Sequence, residues 1–120
     1  MNHINQENEN WSHQHFIAFL LIYAAYADYI YLESEREMIL ELVPECVLAE
    51  SEAHFDKIGD FEQLQLIMEL KEKYVKSSVD IELVKAMLMK LFRSDGIYSK
   101  AETYQNNFLE RILNLSLIHI

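Results

Sequence analysis

Twelve consecutive apolar residues run from Phe16 to Ala27. A stretch this apolar leaves no polar face, so it predicts a helix buried around most of its circumference. Ser12 offers an N-cap for it, and Trp11 the apolar half of a staple. Continuing through Asp28 to Leu32 lengthens the run to seventeen residues, near the length that spans a bilayer. An uncompensated Asp28 inside the run and the lack of a basic flank argue against a membrane span. The run reads as the central helix of a water-facing domain.

The polar–apolar pattern after it has a helical period throughout. A second helix is expected over Glu33–Val43, with Met38, Ile39, Leu42 and Val43 inward and Pro44 at its end. Pro44 also opens a third, through Val47, Leu48, Phe55 and Ile58, closed by Gly59. Asp60, with Gln63 three residues on, reads as the cap of a fourth helix through Leu64, Ile67, Leu70 and Tyr74. Ser77 or Ser78 caps a fifth, whose stripe is Ile81, Val84, Met87, Leu88, Leu91 and Phe92. Gly96 ends it. A sixth opens at the capping box Ser99–Glu102 and turns Phe108, Leu109, Ile112 and Leu113 inward.

No segment alternates with the period of a strand beyond a few residues. The expected fold is all-α: a single compact bundle of about six helices around the buried first one. Residues 1–11 are a polar lead-in expected to be disordered, and residues 12–120 form the domain. The apolar tail, residues 115–120, either closes the core or meets a second copy in a homodimer.

Composition narrows the functional classes. The net charge is −10, and it is uneven: residues 1–56 hold eleven acids and one base, Arg36, while residues 57–120 hold nine of each. An acidic face between Glu33 and Asp56 repels nucleic acid and anionic lipid, and suits a cation, a basic protein partner or simple solvation. The single cysteine, Cys46, rules out an internal disulfide framework and is expected to be a buried free thiol. With no basic and apolar leader in the first ten residues, the expected compartment is the cytoplasm.

One arrangement occurs twice. Tyr23–Glu35 and Leu91–Glu102 each carry an apolar helix end, an acid, a turn and a second acid. Without gaps, Asp28 falls on Asp95, Ile30 on Ile97, Tyr31 on Tyr98 and Glu35 on Glu102, so the bundle reads as two related helix–turn–helix halves. An Asp at a helix C-terminus opposes the macrodipole and needs compensation. Either the acids cap the turn through backbone N–H groups, or Asp28, Glu35, Asp95 and Glu102 hold a divalent cation of the calcium or magnesium type. The second turn would set Asp95, Gly96, Ser99 and Glu102 at the later positions of an EF-hand loop. Leu91 and Arg93 would then stand where ligands are needed, which excludes that motif. Tyr29 replaces Gly96 in the first copy, so a left-handed residue there would be strained and the two turns are expected to differ.

The remaining chemistry is sparse. His13 and His15 point apart on their helix, His54 stands among acids and His119 lies in the tail, so no zinc spacing appears. Nucleophile–base–acid sets and phosphate loops are missing too, so no enzymatic activity is expected.

Leu20–Asp28 with Glu35, and Leu91–Ser99 with Glu102, resemble the two motifs of the tellurite-resistance TerB-like family. The resemblance spans most of residues 12–114. It implies a compact helical domain of two related halves, non-catalytic, linked to stress, tellurite and phage resistance. It is similar also to the N-terminal domain of a membrane-anchored J-domain co-chaperone. Carried over, the family's suggested cation site would be Asp28, Glu35, Asp95 and Glu102, and an unidentified protein would be the partner.

Overall fold

A computed structural model describes residues 11–26 and 31–93 of the chain. Its elements are five α-helices: α1 (His13–Ala25), α2 (Glu33–Leu40), α3 (Glu45–Lys57), α4 (Asp60–Tyr74) and α5 (Ser78–Arg93). No strand occurs among the described residues. The expected sixth helix, both Tyr29 and Gly96, and the apolar tail lie outside them.

The first helix is central, as its sequence demands. Phe16, Ile17, Ala18, Phe19, Leu20, Leu21, Ile22, Ala24 and Ala25 are all buried. Helices α3, α4 and α5 each pack against it, and α2 bridges α3 and α5. Leu48, Phe55, Leu66, Ile67, Leu70, Leu88 and Leu91 supply the facing side chains. Side chains of this kind contribute roughly 1.5–3 kcal/mol each when fully buried, which makes α1 the element the fold can least do without. Among the described residues no helix is long and apolar enough to cross a membrane.

Entry into α1 is held from several sides. Trp11 is buried and stacks on His15, with ring centroids 5.0 Å apart and planes at 16°. His54 from α3 meets the same indole edge-on at 5.4 Å. The Trp11 carbonyl accepts the Tyr74 hydroxyl at 3.0 Å, tying the staple to the end of α4. Ser12 is the N-cap residue, and its backbone N–H donates to His15 Nδ1 at 3.1 Å. With Nδ1 accepting, the ring proton sits on Nε2, which donates to Glu50 at 2.8 Å.

Three boundaries differ from the sequence pattern, each for a local reason. Helix α2 stops at Leu40, not Val43. The Leu42 and Val43 N–H groups both bond the Ile39 carbonyl, a tightened last turn, and Pro44 forces the residue before it out of helical geometry. Gly59, not Asp60, is the N-cap of α4, and its N–H donates to Glu62 at 2.9 Å. Its φ of −87° is ordinary extended backbone, so the left-handed closure of α3 expected there does not occur. Gln63 closes that helix instead: its side-chain amide donates to the carbonyls of Phe55 (2.9 Å) and Ile58 (3.1 Å), which the helix end leaves unpaired. At α5 the cap is Ser77, whose hydroxyl accepts the Asp80 N–H, while Asp80 accepts the Lys76 N–H.

Cys46 lies in the first turn of α3 and is exposed. The expectation of a buried thiol is corrected: the inner face of that helix falls to Val47, Leu48, Ser51 and Phe55, and position 46 turns outward.

Candidate functional site

Of the four acids expected at the two turns, only Glu35 lies among the described residues; Asp28, Asp95 and Glu102 lie outside them. Glu35 is the third residue of α2 and is buried. Its Oε1 accepts the backbone N–H of Leu32 at 2.8 Å, the reciprocal half of a capping arrangement. This oxygen therefore performs the capping role weighed for it. Helix α1 ends at Ala25 with Tyr26 as its C-cap residue. Among the described residues no three His, Cys, Asp or Glu side chains converge in a way that would hold a metal ion.

The most structured polar cluster of the described region sits beside that turn. Its centre is Glu52 on α3. Arg36 from α2 binds it with two donors, Nε at 2.9 Å and a terminal nitrogen at 3.2 Å. The Tyr31 hydroxyl donates to the same carboxylate at 2.8 Å. Both charged side chains are about one-quarter exposed (26% and 23%), so the pair is shielded from water without being sealed from it. Burial pushes the Tyr31 phenol well above its ordinary range, and the bond to Glu52 and that carboxylate's charge push it further; Arg36 offsets a part. For Arg36, the hydrogen bond to Glu52 is the main cause of a raised pKa.

Around this cluster the aromatic rings close up. Tyr26 lies parallel to Phe55 at 5.1 Å and tilts against Tyr31 at 5.4 Å. Together with Ile22, Glu52 and Asp56 they line a cavity of about 220 Å³. The Tyr26 phenol is raised by burial first and then by the nearby charges of Asp56 and Glu52.

Tyr26 and Tyr31 flank the first of the two repeated turns in the sequence, where no spacing points to Glu52. A usable signal was present: Arg36 is the one base among eleven acids in residues 1–56. A lone cation in such a field has to be held by something, and the side chain that holds it marks a structured point. His54, read as standing among acids, is buried against Trp11 and Phe19 instead.

Two further depressions occur. One, of about 310 Å³, is mostly apolar and includes Ile17, Val43, Val75, Leu83 and Met87. The other, of about 540 Å³, lies between α2 and α5, where Lys90 reaches Glu41 at 3.0 Å. No family model, curated protein or solved structure compared with the chain matches it.

Proposed function

We propose that the chain is a non-catalytic TerB-like module of the stress- and tellurite-resistance type that binds a basic protein partner through the face formed by α2 and α3. One observation carries the reading. Glu33, Glu37, Glu41, Glu45, Glu50 and Asp56 are exposed on these two helices, while their only arginine, Arg36, is tied to Glu52. Lys90 meets Glu41, which leaves a field of surplus negative charge over Glu33, Glu37, Glu45, Glu50 and Asp56. Such a field steers a positively charged surface and repels polyanions. The family part of the reading rests on the two turn motifs and on two related halves, of which the second runs past Arg93.

A divalent cation at the turns, held by Asp28, Glu35, Asp95 and Glu102, is one form of this module. The metal-free form is a plain adaptor, or a homodimer through residues 115–120, and the capping bond of Glu35 favours it. Calorimetric titration of chelator-treated protein with calcium, magnesium, manganese and zinc separates them. Heat that disappears in Asp28→Asn/Asp95→Asn establishes the cation form; no heat removes it. Partner binding is tested with a lysine decapeptide at low and high salt. The expected outcome is saturable binding that weakens with salt and is lost in Glu33→Lys/Glu37→Lys/Glu45→Lys. Binding unaffected by that charge reversal would refute the face.

A further inference from the structure

We propose that the cavity between the end of α1 and the middle of α3 is a receptor for one alkylammonium group, the head of a lysine side chain presented by a basic protein segment. The proposal rests on the interaction-module reading for its biological use, and on its own geometry for its chemistry.

Two kinds of wall meet there. Tyr26 and Phe55 form a parallel pair of rings, and Tyr31 stands across from Tyr26 at an interplanar angle of 46°. Non-parallel aromatic faces around a small space are what an ammonium group recognises, because each ring presents a negative face to the cation. Glu52 and Asp56 complete the lining with carboxylates. Their charges are not equivalent. Glu52 is paired with Arg36, which does not line the cavity, whereas Asp56 is exposed beside it. The space therefore carries one surplus negative charge, matching one monovalent cation. Both carboxylates line the same cavity as the Tyr26 ring that would cover the ligand.

Other ligand classes fit less well. An anion would face Asp56. A neutral apolar group would strip water from two carboxylates and offer nothing in return. A hard metal ion needs six or more oxygen donors, and here one carboxylate already takes three hydrogen bonds while three of the six lining residues are aromatic. At about 220 Å³ the cavity has room for an ammonium head with part of its aliphatic stem, and Ile22 supplies an apolar contact for that stem.

The test is an amide NMR titration of the full chain with Nα-acetyl-lysine methylamide, its trimethylammonium counterpart, the arginine counterpart, and the uncharged norleucine analogue. The expected result is saturable, fast-exchange shifts centred on Tyr26, Tyr31, Phe55 and Asp56 with the lysine compounds, and none with norleucine. Asp56→Asn, at an exposed position, should weaken binding roughly three- to five-fold while leaving the melting temperature nearly unchanged, and Tyr26→Leu should weaken it as much while also losing the ring contacts with Phe55 and Tyr31. Equal shifts with norleucine, shifts with the arginine compound alone, or affinity unchanged in both variants would each overturn the proposal. The decapeptide experiment keeps the two readings apart. If the peptide binds and the pocket variants do not alter it, the cavity proposal falls and the acidic face stands. If the lysine compounds bind and the decapeptide does not, the face falls, and so does a lysine presented by a protein segment, leaving only a site for free alkylammonium.

Discussion

Glu52→Gln is the most informative single change in the described region, because Tyr31 and Arg36, from different parts of the chain, converge on one carboxylate. The glutamine keeps the shape and one acceptor oxygen for the Tyr31 hydroxyl but removes the charge that Arg36 binds at 2.9 and 3.2 Å. An exposed ion pair contributes about 0.2–1 kcal/mol, and breaking a buried one costs about 3–5 kcal/mol. With the two side chains 26% and 23% exposed, this pair falls between those limits, nearer the lower one. Two-pronged geometry adds strength, since charge-assisted bonds run to about 1.5–3 kcal/mol. The expected coupling between Arg36 and Glu52 is therefore about 1–2 kcal/mol. It is measured by a double-mutant cycle of Arg36→Met and Glu52→Gln in urea, not guanidinium, whose ions would screen the pair. Raising the salt to about 1 M should lower the coupling only modestly, because a pair this shielded is less accessible to counterions. A coupling below about 0.3 kcal/mol would refute the shielding argument, for the pair would then behave as an ordinary surface contact.

The other predictions concern pH, burial and the core. Tyr31 has a folded-state pKa above its unfolded value of about 10, so its contribution to stability is fully present below pH ~10 and is lost as pH rises further. Urea stability should thus fall above pH ~10 in the wild type and less steeply in Tyr31→Phe; parallel curves would contradict it. Lys71 is buried, and desolvation lowers its pKa despite Glu72, so Lys71→Met should raise stability by about 0.5–1.5 kcal/mol; a loss of that size would show a partner for the ammonium. Leu48 is fully buried against α1, and Leu48→Ala should cost about 2–5 kcal/mol, while Val79→Ala on the exposed side of α5 stays within about 0.5 kcal/mol. Equal effects at the two positions would mean that the inner face of α3 is misassigned.

How far the chain could be read in advance differs by the kind of force involved. The helices and the central place of α1 follow from apolar periodicity, a local property carried by neighbouring residues, and Phe16–Ala25 left little alternative. Helix ends were legible to within a few residues, and the junction of α3 and α4 shows why they were not legible more finely. Asp60, Glu62 and Gln63 are all competent capping residues within one turn, and tertiary position decides between them: Gln63 turns inward to close α3, which leaves Glu62 for the Gly59 N–H. Cys46 failed for a related reason, since its burial depends on which side of α3 faces α1, and the short apolar run Cys46–Leu48 fits two orientations. The polar cluster was the least legible element. Tyr31, Arg36 and Glu52 come from a turn and two helices, and no spacing rule links residues 16 and 21 apart across a change of helix. Their meeting is nonetheless a consequence of the sequence. Once α1 is buried and α3 must lie along it, Tyr31 comes to the middle of α3, and Arg36 in the following helix has Glu52 within reach. Arg36 then anchors one carboxylate among the eleven acids of residues 1–56, the one that frames the cavity.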